Sequence, residues 1–170
     1  KMTAPGTNAA YEATRRGSLL TPDQQTWIGQ ADTLFVASAH PEYGADASHR
    51  GGKPGFVEVM SPRCLRIPDY AGNSMFNTLG NFECFPHAGL AFVDFEHGRL
   101  LQLSGRPAIR WDVADSYRRT GGTGRFWDLE IEAWQESKLA LQLNWEFLDY
   151  SRFNPEPMDI EHRGVMPGNT

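Results

Sequence analysis

Three stretches of this sequence gather polar and charged side chains beside glycines. In Ser48-His49-Arg50-Gly51-Gly52-Lys53-Pro54-Gly55 the glycines allow close backbone approach and leave N–H donors accessible, while Arg50 and Lys53 add positive charge. Such a segment suits an anion such as a phosphate; the alternative is a solvated loop. In Asp69-Tyr70-Ala71-Gly72-Asn73-Ser74-Met75-Phe76-Asn77-Thr78 a glycine leads into a helix start that carries Asn73, Ser74, Asn77 and Thr78. Unpaired N–H groups and the helix dipole attract phosphate there, and the small side chains add donors. Asn73 can equally serve only as the helix cap. In Leu101-Gln102-Leu103-Ser104-Gly105-Arg106 the residues Gln102 and Ser104 share one face of a strand, and a strand glycine often marks close approach of another backbone.

Other chemistries lack their patterns. Five histidines and two cysteines show neither HExxH nor CxxC spacing, so no dedicated metal site is expected. There is no GxSxG nucleophile elbow and no GxGxxG dinucleotide turn. Gly52-Lys53 leads into Pro54 and a strand, not into the helix that a Walker loop needs. Cys64 and Cys84 sit among apolar neighbours and read as separate buried thiols. No side chain stands out as an acid–base catalyst, and none is nominated.

The elements that must position these stretches are short. Residues 1–20 are rich in Ala, Thr, Gly and Asn and read as a loose arm. Thr21 as N-cap, Pro22 at the first position and Gln24 completing a capping box predict a helix with Trp27, Ile28 and Ala31 as its apolar stripe. The run Thr33 to Ala39 predicts a buried strand, and His40 to Gly55 a long loop. Phe56–Met60 and Cys64–Pro68 read as a hairpin around Ser61-Pro62-Arg63. Met75, Leu79 and Phe82 recur at helical spacing, with Asn73 or Ser74 as the cap and Pro86 as the stop. Gly89–Phe95 and Leu100–Trp111 form a strand pair across Glu96-His97-Gly98-Arg99. Late in the chain, Trp127, Leu129, Ile131 and Ala133 alternate with Asp128, Glu130 and Glu132, and Leu141–Phe147 reads as a last strand. Trp127, Trp134, Trp145 and Phe147 read as core or subunit contacts, or as a cover for a planar ligand. Six to seven short strands with two small helices predict a mostly β, antiparallel sheet; the pattern alone leaves barrel and sandwich both open.

With 170 residues, 40% of them apolar and 12% aromatic, the chain can bury one core. A net charge of −5 gives no general basic footprint for nucleic acid. No run of about 18 apolar residues suggests a membrane span and no signal-peptide pattern opens the chain, so a cytoplasmic protein is expected.

Taken in order, ASHRGGKPGFV, IPDYAGNSMFNTLGNF, FPHAGLAFVDF and LQLSGRPAI resemble the pyridoxamine 5'-phosphate oxidase-like family, from the capped helix at Thr21 to about Asn154. The resemblance implies a homodimeric split β-barrel over residues 21–154, followed by a tail at 155–170. It implies one FMN in each of two clefts at the interface. Ser48, His49, Arg50, Gly51 and Lys53 would run alongside the flavin. Asp69, Tyr70, Asn73, Ser74, Asn77 and Thr78 would hold its phosphate and ribityl chain. The chain departs from the oxidases in lacking their basic Ser-Arg-Lys residues at Asn73–Asn77, which leaves the phosphate charge to Arg50, Lys53 and the helix start. It also lacks their Arg-Leu-His-Asp-Arg-like end, so oxidation of the vitamin is not implied. A subgroup with similar motifs is fused to reductase modules, which implies redox work with a reductase partner or reduced nicotinamide cofactor. An FMN-dependent oxidoreductase with flavin N5 as its redox centre is therefore expected. The alternatives are a non-catalytic flavin-binding or electron-transfer module, and a haem protein using His49 or His87. Arg50 or His49 would face the reducible edge of the ring.

Overall fold

The computed structural model describes residues 14–72, 76–139, 146, 148–150 and 154–155. Eight strands and two helices follow one another as β1 (Arg15–Gly17), α1 (Pro22–Gln30), β2 (Thr33–His40), β3 (Gly44–Gly51), β4 (Glu58–Ser61), β5 (Cys64–Pro68), α2 (Asn77–Cys84), β6 (Ala88–Asp94), β7 (Arg99–Arg110) and β8 (Phe126–Lys138). Every strand pairing is antiparallel, in the order β3-β2-β6-β7-β8-β5-β4, with β1 also on β8. The curled sheet encloses one core. Leu34 and Val36 of β2, Phe92 of β6, Leu101 of β7, Leu65 and Ile67 of β5 and Trp127, Leu129 and Ile131 of β8 are all buried in it.

Helix α1 starts as its sequence requires. Thr21 Oγ1 accepts from Gln24 N (3.3 Å) and Gln24 Oε1 accepts from Thr21 N (3.0 Å). Gln24 Nε2 then donates to Glu136 of β8 (2.9 Å), so the capping residue also pins the helix to the sheet. Trp27 and Ile28 are buried and Ala31 packs against the core. Helix α2 buries Thr78, Leu79 and Phe82, with Phe82 5.1 Å from the Trp127 ring. It ends at Cys84, with Phe85 as its C-cap and Pro86 beyond. The first turn is Asn77, preceded by Phe76 without a side-chain cap; Asn73, Ser74 and Met75 lie outside the described residues.

The structure departs from the sequence reading at several places, among them β2, which is buried on one face only. The arm is not loose throughout: Arg15–Gly17 pairs with β8 and Leu20 is buried. The long loop from His40 to Gly55 holds strand β3, fully in register with β2 from Thr33↔Gly51 to His40↔Gly44. Its composition, GADASHRG, has no apolar alternation because its inward residues Asp46, Ser48 and Arg50 are all polar, the first two meeting the Thr78 hydroxyl. The strands number eight among the described residues, one more than the upper expectation. Finally, Ala133 is exposed, although it was expected to share a face with Trp127, Leu129 and Ile131. Ser104 pairs with Ala133 and Gly105 with Ile131, which leaves Glu132 as an extra residue, a β-bulge. The bulge shifts the alternation by one, and Trp134 and Glu136 become the buried positions beyond it. The strand expected at Leu141–Phe147 falls outside the described residues, Glu146 excepted.

The bulge sits opposite a glycine for a steric reason. A Cβ on Gly105 would overlap the carbonyl oxygen of Glu130 and lie 3.1 Å from Ile131 Cα. These are backbone atoms held by the ladder and cannot rotate away. Gly105→Ala is expected to lose about 1–3 kcal/mol or more, as overpacked cores do. A urea melt compared with that of wild type checks this, and an unchanged midpoint would show that the ladder yields freely.

Candidate functional site

Helix α2 lies against β2, β3 and β7 and brings two of the glycine-flanked stretches together. Ser48 Oγ on β3 is 3.2 Å from Thr78 Oγ1 in the first turn of α2. Thr78 Oγ1 donates to Asp46 Oδ2 (3.3 Å), so Ser48 supplies the proton of the hydroxyl pair. One turn on, Asn81 Nδ2 donates to Ser38 of β2 (2.9 Å) and fixes the helix over the sheet. Arg50 follows on the same face of β3, opposite Leu34. Its Nη1 reaches the His49 carbonyl at 3.5 Å, and its buried Nε has no partner among the described residues. A buried guanidinium N–H is costly unless an acceptor meets it.

His49 points the other way. It is exposed on the outer face beside Phe35, with ring centroids 5.7 Å apart, and its Nε2 lies 3.5 Å from Thr33 Oγ1. Gly51 is pressed close by that ring: a Cβ there would lie 3.0 Å from His49 Cε1. Gly52 N donates to Asp32 O (2.9 Å), and the Lys53 carbonyl accepts from Phe56 N (3.0 Å), so the glycine turn is an ordered corner. Asn77 opens α2 and is exposed. His87 stacks on Phe85 at 4.3 Å, and its Nδ1 is buried without a partner among the described residues.

Asp69 and Tyr70 belong to a second cluster, built by the loop between β7 and β8. Asp69 is buried and accepts from Arg125 Nε (2.9 Å). Its backbone N donates to Arg125 O (3.0 Å), and its carbonyl accepts from Thr123 Oγ1 (2.6 Å). Tyr70 is half-buried; burial pushes its phenol up to about 12, with Arg119 pulling down and Asp115 pushing up. Asp115 organises the loop by accepting from the backbone N–H groups of Arg119, Thr120 and Gly122 and from the Thr120 hydroxyl. Burial alone would raise its pKa, but these hydrogen bonds outweigh it and hold the carboxyl below the ordinary range. Gly121, Gly122 and Gly124 take positive φ in this loop. Beside it, Asp128 receives a two-pronged pair from Arg66 (2.7 and 3.0 Å) and a bond from Arg110 (2.9 Å). Those bonds likewise lower its pKa against the opposing effect of burial.

Asp46, Asn81, Asp115, Thr123 and Arg125 were not singled out from the sequence. Asp46 was hidden by the missed strand, since only in a strand do Asp46, Ser48 and Arg50 share a face. The run Arg118-Arg119-Thr120-Gly121-Gly122-Thr123-Gly124-Arg125 had the signal of a glycine-rich corner. Cys64 and Cys84 are unpaired thiols, the first half-buried and the second exposed. Among the described residues there is no cluster of three His, Cys, Asp or Glu that could hold a metal. Nor is any helix among them long and apolar enough to cross a membrane.

No protein-family model and no curated protein matches the chain. Solved structures do. A putative pyridoxamine 5'-phosphate oxidase from Lactobacillus delbrueckii aligns with a TM-score of 0.52 at 13% identity, over 69% of this chain and 94% of that one. The HupZ protein of Group A Streptococcus gives 0.51 at 13% identity, over 67% and 90% of the two chains. A conserved hypothetical protein from Mycobacterium tuberculosis gives 0.50 at 10% identity, over 79% and 96%. The chain thus has the antiparallel split-barrel fold of the pyridoxamine 5'-phosphate oxidase-like proteins.

The loop held by Asp115 predicts a pH signature. A carboxylate whose folded pKa is depressed adds stability above its unfolded value near 4, and that stability is lost as pH falls through the folded value. Asp115→Asn is expected to cost about 1.5–3 kcal/mol at pH 7, as for hydrogen bonds to a charged group, and clearly less at pH 3. Urea melts at the two pH values measure the difference. An equal cost at both would mean that the charge on Asp115 contributes nothing.

Proposed function

We propose that the protein is an FMN-binding oxidoreductase whose cofactor lies against β3 and the start of α2. The observation that carries this reading is Arg50: a buried, unpartnered guanidinium N–H on the strand that Ser48 and Thr78 tie to α2. The site offers what a flavin nucleotide needs, a cation beside a glycine corner and a short helix start bearing Asn77 and Thr78. Bound there, FMN would accept a hydride or electrons at its N5. The chain's own part is to hold and tune it. Arg50 places positive charge where the ring gains negative charge on reduction, and Asn77 and the α2 N–H groups face the phosphate end. Electrons would come from a reduced nicotinamide cofactor or a reductase partner.

A second copy of the chain completes the reading. On the outer face of β3, β2 and β6, Ala45, Ala47, Ala37, Ala39 and Ala91 form an uncharged small-residue patch that ends at Phe35, which pairs with His49 and Ala91. Phe35 is 44% exposed there. A flat, small-residue sheet face of this kind suits close packing against its own copy about a two-fold axis. His49 lies at its rim and would reach the partner's side of a shared cleft. Wild type should sediment as a species of twice the chain mass at micromolar concentration. Ala47→Glu, on an exposed position, should shift it to the monomer while leaving the melting curve of the single chain folded; a dimer indifferent to that carboxylate would place the interface elsewhere.

The purified protein should show a flavin spectrum, and turnover with reduced nicotinamide cofactor and an artificial acceptor separates an enzyme from a non-catalytic carrier. Arg50→Gln tests the site. It should lower the midpoint potential of bound FMN, each tenfold loss in preference for the reduced ring amounting to about 30 mV for a two-electron couple. A potential unchanged with affinity lost would move Arg50 to the phosphate. Neither quantity changing would leave Arg50 outside the site.

A further inference from the structure

The turn that would hold the phosphate carries no Lys or Arg between Asp69 and Thr78, and the strand beside it is not simply attractive to an anion. Asp46 takes the Thr78 proton and Thr78 takes that of Ser48, so the hydroxyls nearest β3 have no proton left to donate. The Asp46 carboxylate itself repels a phosphate. The anion therefore belongs on the far side of the α2 start, towards Phe76. A guanidinium already stands there. Arg125 lies with its central carbon 5.0 Å from the middle of the Phe76 ring. Only its Nε is occupied, on Asp69 at 2.9 Å, and its terminal N–H groups meet no acceptor among the described residues. The side chain is 19% exposed, open enough for a ligand to reach. Arg66 gives two nitrogens to Asp128, and Arg119 and Arg110 pair through one nitrogen each with Glu58 and Asp128; of these side chains only that of Arg125 lies over Phe76.

We propose that Arg125, delivered from the loop before β8, is the cation that binds the phosphate monoester of the flavin nucleotide. Asp69 fixes one edge of the guanidinium and Phe76 supports its face. The remaining edge can then make the paired, charge-assisted bonds that suit a phosphate. Arg125 thus supplies from a distant part of the chain the charge that the turn itself lacks. This assignment rests on the flavin-nucleotide reading above.

Titrating apo-protein with FMN and with riboflavin, which lacks the phosphate, tests it. Wild type should prefer FMN by about tenfold or more. Arg125→Met should lose most of that preference while riboflavin binds within about threefold of wild type. Arg125→Lys, which keeps the charge without the fork, should retain part of the preference, and it carries the test should the methionine variant not fold. Equal losses for both flavins would reduce Arg125 to a brace on Asp69, and an undiminished FMN preference would place the phosphate on Arg50; either outcome overturns the assignment and leaves the flavin reading standing. Wild type that binds neither flavin overturns both.

Discussion

Strand β8 must pair with three strands at once, and the rest of the structure follows from how it does so. Along one edge it runs with β7 from Arg110↔Phe126 to Arg99↔Lys138. Along the other it serves β5 with its first half and β1 with its second. Between these halves Ile131 N donates to Arg63 O at 2.8 Å. A straight strand of 13 residues could not turn its side chains into one core along its whole length. The bulge at Glu132 re-aims them, and Gly105 lets the two backbones close at that point. After the bulge, Trp134 and Glu136 face inward, and Glu136 is where Gln24 ties down α1. The first helix and the last strand are thus registered to each other through one glycine contact.

The opposite end of β8 does the same for the candidate site. Phe126 opens the strand directly after Arg125, so any shift in β8 would carry Arg125 with it. The backbone bond from Asp69 N to Arg125 O continues the β5–β8 ladder one step beyond Pro68↔Phe126. The loop that precedes it has three glycines at positive φ and would be floppy without an organiser. Asp115 converts that freedom into one shape by collecting its N–H groups. Site geometry on this side is therefore set by sheet register and by one carboxylate, while on the other side it is set by the packing of α2 on β2 and β3.

These different origins explain what could be read from the sequence. Helix α1 was legible because every residue of its start acts locally: Thr21, Pro22 and Gln24 do their work within one turn. The β6–β7 hairpin and the buried half of β8 were legible from apolar alternation. Strand β3 was not, because its inward residues Asp46, Ser48 and Arg50 are all polar, and a polar face erases the signal that alternation supplies. The bulge was equally silent, since Glu132 looks like any other outward residue until its partner strand is known. The two candidate segments stand out in the sequence, but how their charges are spent does not. Asp69 reads as a ligand contact from its neighbours in sequence, yet its oxygen is held by Arg125, 56 positions away.

Read as charges instead of motifs, the site has two unlike ends. The β3 end carries Arg50 and, four residues away on the same strand face, the Asp46 carboxylate. The α2 end carries no charge of its own, and Arg125 is compensated by Asp69 only at one edge. A neutral, polarisable group that acquires charge only on reduction is compatible with the first end, where a half-buried Arg50 shares its strand face with a carboxylate. A permanent dianion is not: it needs donors that are not already committed, away from a carboxylate. A ligand with a ring at one end and a phosphate at the other would be oriented by this asymmetry alone, ring along β3 and phosphate at Phe76. An unphosphorylated ring would lack the second anchor and could lie either way. The net charge of −5 sharpens the effect, because an acidic surface leaves few places where a dianion is welcome.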